Sequence, residues 1–145
     1  PRGEEFDLIP PPQGPTAEDE PADLAAEFHV ALPTQEMARL FSSCDLFLGP
    51  SRAEEGFGLP AAEAMAGGVP SVLSEIPSFL SWDDVHDYAA FAADGDGLGE
   101  RLAAILADPA LAARLAQRGR EVVEQFRAER TALRLEQWFE ARLSA

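Results

Sequence analysis

The chain has 145 residues, of which 46% are hydrophobic, and a formal net charge of −15 from 26 acidic and 11 basic residues. This length favours a single domain, and the acidic excess argues against binding to nucleic acid or to an anionic membrane surface. Every basic residue is an arginine, so the sequence excludes a Schiff-base lysine, a lysine general base and the phosphate-binding lysine of a P-loop.

The N-terminal part of the chain differs in composition from the rest. Residues 4–9 (EEFDLI) predict a short strand, successive prolines follow at residues 10–12, and an acidic run lies at residues 18–20. Proline fits neither a helix interior nor a central strand. We therefore predict a short strand and a partly disordered, proline-rich acidic loop over residues 1–21, ahead of a domain that covers residues 22–145.

A strand and a helix are predicted near the start of that domain. Residues 28–32 (FHVAL) read as a strand, which Pro33 ends. The helix covers residues 35–43, and Thr34 is a suitable N-cap. Cys44 is the only cysteine and follows this helix. It excludes an internal disulfide and fits a reducing compartment, and we expect its small side chain to be buried.

Further apolar segments at residues 46–48, 69–73 and 88–92 are predicted strands. The first lacks polar alternation, which indicates burial on both faces, and the last is predicted to be an edge strand. Residues 77–84 are predicted to form a loop or a helical turn. Strands that alternate with short helices predict an α/β fold, with a Rossmann-like, doubly wound parallel sheet of about four or five strands.

A helical tail is predicted from about residue 98, after a turn at residues 94–97. Its helices are predicted over residues 98–107, 110–117, 118–126 and 127–143. We expect the tail to pack on the sheet through apolar side chains. These are Val122, Val123, Phe126, Leu133, Trp138 and Phe139.

A glycine-rich turn lies between the strands predicted at residues 46–48 and 69–73. Residues 56–60 (GFGLP) lead into a short helix with Pro60 near its start, where the missing N–H of proline is not needed. The N–H groups before it are expected to have no helical partner and to lie at the positive end of the helix dipole. Such a turn is a suitable seat for a phosphate or diphosphate.

Two glutamates flank this turn. Glu55 precedes it, and Glu63 lies about one turn into the helix, where side chains tilt back toward the helix N-terminus. A carboxylate is only an acceptor, so it suits sugar hydroxyls and does not suit phosphate oxygens. Amides for phosphate and carboxylates for hydroxyls together predict a nucleotide-sugar site.

Two second-tier candidates lie near the turn. Arg52 is the nearest cation and is able to assist a phosphate, although such an arginine more often pairs with a neighbouring acid, here Glu54 or Glu55. Ser74 follows a predicted strand at the carboxyl edge of the sheet, where ligands bind in open α/β folds. The spacing of the aspartates fits no calcium loop, and we predict no metal site.

At these residues the sequence resembles a known family. Residues 45–74 (DLFLGPSRAEEGFGLPAAEAMAGGVPSVLS) resemble the donor-binding signature of GT-B glycosyltransferases, especially the retaining family 4. The matching parts are Pro-Ser at residues 50–51, E-G-F-G-L-P at residues 55–60, E-A-M-A at residues 63–66 and G-V-P at residues 68–70. The resemblance implies a truncated GT-B donor half with a helical tail, which transfers a sugar with retention and without a metal.

The resemblance also implies roles for individual residues. It assigns Glu55 to the donor sugar, as the catalytic candidate, and Glu63 to the ribose hydroxyls of a UDP- or GDP-sugar. Backbone amides would face the sugar and the diphosphate, and these belong to Gly56, Phe57, Gly58 and Leu59. The spacing after Ser51 is one residue longer than usual in the family, so Glu54 stays an alternative to Glu55, which adjacency to Gly56 favours.

The family's donor domain normally begins with a strand–helix unit that carries basic residues, and an acceptor-binding domain precedes it. We expect both to be missing from this chain, so that it is not active alone. The alternative is a non-catalytic, degenerate donor-type domain that binds a ligand weakly or serves as an interaction module. An unrelated doubly wound binding domain is a third reading. Because no secretory signal and no apolar run of membrane-spanning length are found, we expect a cytoplasmic protein.

Overall fold

The computed structural model of the protein describes residues 29 and 31–143. The contacts divide the chain after Ala31, and every element below lies in the unit Leu32–Ala145. The elements in chain order are α1 (Thr34–Ser43), β1 (Phe47–Gly49), α2 (Leu59–Ala66), β2 (Ser71–Ser74), α3 (Pro77–Leu80), β3 (Ala90–Ala92), α4 (Gly95–Ala107), α5 (Pro109–Val123), a 3-10 turn (Glu124–Phe126) and α6 (Ala128–Leu143).

In the part of the chain that the structure describes, β1, β2 and β3 form a three-stranded parallel sheet in that order. Phe47 is in register with Ser71, and Val72 is in register with Ala90. The prediction of an α/β fold with a parallel sheet is confirmed, as is the prediction that the strand near residues 88–92 lies at an edge.

Two strand predictions are not confirmed. The strand expected at residues 4–9 lies outside the described residues. In the segment 28–32, the structure assigns no strand to His29, Ala31 or Leu32, and Ala31 has a φ of 52°. This left-handed backbone conformation is incompatible with an extended strand at Ala31, so the prediction fails at the described residues of this segment, and Phe28 and Val30 lie outside them.

Strand β1 is less buried than predicted. Leu48 is 42% exposed, and only Gly49 in this strand is buried. β1 pairs with β2 alone among the described strands, so no other described strand lies along its second edge. The expectation that both faces are buried, as in a central parallel strand, was therefore wrong.

Two side chains at the ends of α1 also differ from expectation. Pro33 is the N-cap residue and Thr34 is the first helical residue, with no side-chain cap. Cys44 is exposed and was expected to be buried. It follows the helix as its C-cap, and its Sγ donates to the carbonyl of Leu40 at 3.2 Å. The position at the helix end, outside the packed face, explains the exposure.

Helix α2 ends at a pair of glycines. Gly68 has a φ of 79°, its N–H donates to the carbonyl of Met65 at 2.8 Å, and Val69 N–H donates to the carbonyl of Ala64 at 3.1 Å. These two bonds form a Schellman motif, which satisfies the last carbonyls of a helix. Strand β2 begins soon afterwards, so the end of α2 and the start of β2 are joined by a short, hydrogen-bonded connection.

The core consists of two clusters on the two sides of the sheet region. The larger cluster joins α2, β2, α3, the segment just before β3 and the end of α5. The smaller one joins β2, β3, α4 and α5. The buried residues of the larger cluster are Ala61, Met65, Leu73, Ile76, Phe79, Trp82, Tyr88, Ala89, Val122 and Val123. Those of the smaller cluster are Val72, Ala92, Leu98, Ile105 and Leu115.

The helical region begins earlier and is less divided than predicted. Asp94 caps α4 by accepting from Gly97 N–H at 2.8 Å, so the expected turn at residues 94–97 contains the first turn of that helix. Asp108 caps α5 by accepting from Ala110 N–H at 2.9 Å. The predicted helices at residues 110–117 and 118–126 are one helix followed by a 3-10 turn.

The expected docking of the tail is confirmed for Val122 and Val123, which are buried, but it is wrong for α6. Leu133 is 54% exposed, and Trp138 and Phe139 are each 50% exposed. All residues of α6 are exposed, and the guanidinium of Arg142 lies over the Trp138 ring at 4.3 Å. The apolar pattern correctly indicated a helix but did not show whether its apolar face is covered.

Candidate functional site

The candidate site is the turn that joins the end of β1 to the start of α2. β1 ends at Gly49 and α2 begins at Leu59. The turn therefore lies at the carboxyl edge of a parallel sheet, which is where open α/β folds bind their ligands. Pro60 is within the first turn of α2, as predicted.

Gly58 is the pivot of this turn. It is the N-cap of α2 and has a φ of 85°, a left-handed conformation that residues with a Cβ rarely adopt. Its carbonyl accepts from Ala61 N–H at 3.0 Å. A Cβ at this position would overlap Cε1 of Phe79, so the backbone rests directly on that ring. Both the conformation and the close approach require glycine.

Glu55 forms hydrogen bonds with the backbone of the same turn. Its Oε1 accepts a hydrogen bond from Gly58 N–H at 3.0 Å, and its own N–H donates to the carbonyl of Arg52 at 3.0 Å. Glu55 is partly buried, whereas Glu54 is exposed. The amide of Gly58 was expected to be open to a ligand, and in the structure it is occupied by this carboxylate.

Other amides of the turn remain open. Within the described residues, the N–H groups of Gly56, Phe57 and Leu59 have no hydrogen-bond acceptor. Because they precede or begin α2, they lie at the positive end of the helix dipole. The turn thus presents several free donors on a backbone that Glu55 and Gly58 hold in place.

Glu63 is exposed on α2, about one helical turn after these amides. It lies at the rim of a groove of about 560 Å³ between α1 and α2. The floor of this groove includes Met37, Phe41 and Ala66. On its other side, Glu63 borders a second groove of about 440 Å³, which Phe57 and Leu59 also line.

The two second-tier candidates, Arg52 and Ser74, lie in different surroundings from each other. Arg52 is exposed, and no carboxylate among the described residues forms an ion pair with it. The expected pairing with Glu54 or Glu55 is therefore absent from the described structure. Ser74 is the last residue of β2 and is half-buried, and no hydrogen bond or ring contact joins its side chain to the turn.

Phe57 is held by aromatic residues that the sequence analysis did not assign to the site. Its ring centroid lies 5.2 Å from that of Trp82 and 4.9 Å from that of Phe126. Phe79 packs against Trp82 as well, with ring centroids 5.5 Å apart. These partners are far from the turn in sequence, and their apolar character alone gave no sign that they support it.

An ion-pair cluster holds the segment after Trp82. The Nη2 atom of Arg118 lies 2.7 Å from Oδ2 of Asp83, and its Nε lies 2.7 Å from Oδ1 of Asp87. A hydrogen bond from Val85 N–H and the neighbouring guanidinium hold the pKa of Asp83 below its usual value. Burial raises the pKa of Tyr88, whose hydroxyl donates to the carbonyl of Phe79. This segment is thus fixed by charge and by hydrogen bonds.

No grouping of three or more His, Cys, Asp or Glu side chains suited to a metal ion occurs among residues 29 and 31–143. Over the same residues, no helix has both the length and the apolar character that a membrane crossing requires.

Comparisons relate this chain to known proteins. The sequence model of the family described as Glycosyl transferases group 1 matches residues 18–122. The chain is 31% identical over 91 residues to the phosphatidyl-myo-inositol mannosyltransferase of Mycobacterium leprae (strain TN). The match covers 61% of this chain and 24% of the relative. The chain is also 36% identical over 98 residues to the N-acetyl-alpha-D-glucosaminyl L-malate synthase of Bacillus anthracis. This match covers 65% of this chain and 25% of the relative.

A solved structure has a similar fold. The sucrose-phosphate synthase of Thermosynechococcus elongatus superimposes with a TM-score of 0.66 and 31% sequence identity, over 76% of this chain and 28% of that one. The chain therefore spans about a quarter of the length of the proteins it resembles. The turn and both flanking glutamates lie inside the residues that the family model matches, whereas α6 lies outside them.

Proposed function

Because the chain belongs to the Glycosyl transferases group 1 family, as the resemblance at residues 45–74 predicted, we propose that it is the nucleotide-sugar-binding part of a retaining, metal-independent glycosyltransferase. The donor would be a UDP- or GDP-sugar. The observation that carries the proposal is the turn between Glu55 and Glu63, which combines open amides and two carboxylates at the carboxyl edge of a parallel sheet.

The diphosphate would lie against the free N–H groups of Gly56, Phe57 and Leu59. Backbone amides at a helix N-terminus suit phosphate oxygens because they donate and because the helix dipole favours negative charge. Arg52 is exposed and unpaired among the described residues, so it is able to add a positive charge. These groups would offset part of the repulsion that a chain with a net charge of −15 exerts on a diphosphate.

The nucleoside would lie in the groove between α1 and α2. Glu63 at its rim supplies acceptors for ribose hydroxyls. Met37 and Phe41 give the groove an apolar floor, and a planar base packs well against such surfaces. The cavity of about 560 Å³ is within the size range of small-molecule sites.

Glu55 is the proposed contact to the donor sugar. Its Oε1 atom holds Gly58 N–H, and a carboxylate has a second oxygen with which to accept from a sugar hydroxyl. In this role Glu55 both shapes the turn and faces the reacting group. Glu54 is the alternative, but it is exposed and has no bond to the turn among the described residues.

Transfer of the sugar would need a second, acceptor-binding domain. The exposed apolar side chains of α6, and separately Leu59 at 62% exposure, are available for such a domain to cover. The matched residues cover only about a quarter of each relative, which leaves room for one. We propose that this chain is inactive without that domain and that the parent protein works in the cytoplasm.

A non-catalytic module is the second candidate. It is favoured by the occupied amide of Gly58 and by the fact that Arg52 is the only unpaired cation within the turn among the described residues. Such a module would bind the nucleoside through Glu63 and gain nothing from the diphosphate. Comparing a nucleoside with its diphosphate therefore separates the two candidates.

The test is titration calorimetry or ligand-observed NMR of the full chain with uridine, guanosine, UDP, GDP and the glucose conjugates of the two diphosphates. We expect weak binding of at least one, and a loss of affinity of about tenfold in Glu63→Ala. Glu100→Ala is the matched control, because Glu100 is exposed on α4, away from the turn. Tight binding that Glu63→Ala leaves unchanged, or no binding of any of these probes, would contradict the proposal.

A further inference from the structure

Trp82 connects the turn to the rest of the core. It is 4% exposed, and its ring contacts Phe57, the aromatic residue of the turn, with a centroid distance of 5.2 Å and an interplanar angle of 35°. Phe126 closes a triangle with these two rings, at 4.9 Å from Phe57 and 5.5 Å from Trp82. The side of Phe57 that faces the core is therefore enclosed by aromatic rings.

Trp82 is itself held on two sides. On one side it stacks on Tyr88 at 6.0 Å with an angle of 19°, and Phe79, against which Gly58 rests, packs on it edge to face. On the other side, Gln125 Nε2 donates to the carbonyl of Trp82 at 2.9 Å and to that of Val122 at 2.9 Å. The position of Trp82 is thus fixed relative to α3 and to the end of α5.

The indole N–H of Trp82 is buried and has no hydrogen-bond partner among the described residues. A buried donor without a partner lowers stability, and native structures rarely contain one. A phenylalanine would avoid this cost but is smaller. The size of the indole, which reaches from Tyr88 to Phe57, is therefore the property that the arrangement uses.

We infer that Trp82, held by Gln125, is a positioning residue for the turn, which sets the place of the Gly56, Phe57 and Leu59 amides through its contact with Phe57. It would not touch a ligand, because it is buried beneath the turn. This inference rests on the proposed function, since it needs those amides to bind a diphosphate. It predicts a larger effect on the diphosphate than on the nucleoside, because the Trp82 ring contacts Phe57 of the turn, whereas neither Glu63 nor the other residues that line the groove are among its ring contacts.

The experiment compares uridine with UDP, and guanosine with GDP, on the full chain by ligand-observed NMR titration. In the unaltered chain we expect the diphosphate to bind about tenfold more tightly than the nucleoside. Trp82→Leu should remove most of that preference while nucleoside affinity stays within about twofold. Trp82→Phe should retain only part of the preference, because the smaller phenyl ring does not reach from Tyr88 to Phe57 as the indole does.

The matched control is Val122→Ala, which alters the same core cluster at a residue that is 3% exposed. A purely structural role predicts that Val122→Ala and Trp82→Leu reduce nucleoside and diphosphate binding alike, and that result would overturn the inference. If circular dichroism shows Trp82→Leu to be unfolded, Gln125→Leu serves instead, with a smaller loss of the preference expected and an unchanged preference counting against the inference. No binding of any probe by the unaltered chain would overturn the proposed function as well.

Discussion

The carboxylate of Glu55 accepts a hydrogen bond from the N–H of Gly58, three residues later, at 3.0 Å. This bond spans the turn of the candidate site and makes Glu55 a structural residue as well as a proposed ligand contact. A hydrogen bond to a charged acceptor is stronger than one between neutral groups, but it is weakened where water has access.

Glu55→Ala should therefore lower the free energy of unfolding by about 1 kcal/mol. Glu55→Gln should lose less than half of that, because the amide oxygen still accepts from Gly58 N–H. Urea denaturation measures both. The control is Glu54→Ala, at the exposed neighbouring position, for which a change below about 0.5 kcal/mol is expected. Equal losses at positions 54 and 55 would show that the bond does not stabilise the turn.

Gly58→Ala should lower the free energy of unfolding strongly, although it adds only one methyl group. The backbone conformation at Gly58, with a φ of 85°, disfavours any Cβ, and that Cβ would overlap Phe79. Left-handed strain and overpacking together predict a loss of about 3 kcal/mol of unfolding free energy. Gly56→Ala is the matched control, since its Cβ would meet nothing within 4 Å. A thermal or urea unfolding series with similar values for both variants would refute the described packing.

The bond between Asp83 and Arg118 predicts a stability that depends on pH. The pKa of Asp83 is lowered in the folded state, first by Val85 N–H and then by Arg118. Its stabilising effect is therefore complete above the pKa of the unfolded chain, about 3.9, and is lost as the pH falls through the lower folded-state pKa.

Asp83→Ala should accordingly cost about 1 kcal/mol at pH 7, and this difference from the unaltered chain should shrink toward zero in strong acid. Urea midpoints measured at pH 7, 5 and 3 test the trend. Asp84→Ala provides the comparison, because Asp84 is exposed and has no ion pair or hydrogen bond of its side chain among the described residues. A cost that grows as the pH falls would contradict the assignment.

The exposed face of α6 predicts that this helix tolerates polar substitutions in the isolated chain. Trp138→Ser and Phe139→Ser should each change the unfolding free energy by less than about 0.5 kcal/mol, because both side chains are 50% exposed. Phe79→Ala, at 1% exposure, should cost about 3–5 kcal/mol in the same measurement. Large losses at Trp138 or Phe139 would mean that the face of α6 is covered.

The turn and the helix that follows it were predictable because their signals are local. Gly58 and Gly68 have left-handed backbone conformations that few other residues adopt, and Pro60 suits the first turn of a helix, so these residues mark where α2 begins and ends. The parallel sheet followed from apolar strands that alternate with helices.

Several of the errors concern what covers a side chain. The apolar runs around Leu48 and Trp138 correctly indicated a strand and a helix, but a sequence pattern does not show whether a neighbouring element packs on them. The same limit explains why Trp82 was not assigned to the site. Its contact with Phe57 joins residues that are distant in sequence, and the sequence carries no local sign of that contact.

Helix α2 is held at both ends, by the Glu55–Gly58 bond before it and by the Schellman motif at Gly68 after it. Ordering the backbone of one residue costs about 1–2 kcal/mol in conformational entropy, and folding has already ordered this segment. The protein therefore loses little further conformational entropy when a ligand binds here. A few polar contacts are then enough for measurable affinity. The protein's own share of the entropy of binding should accordingly be small, whatever sugar the nucleotide carries.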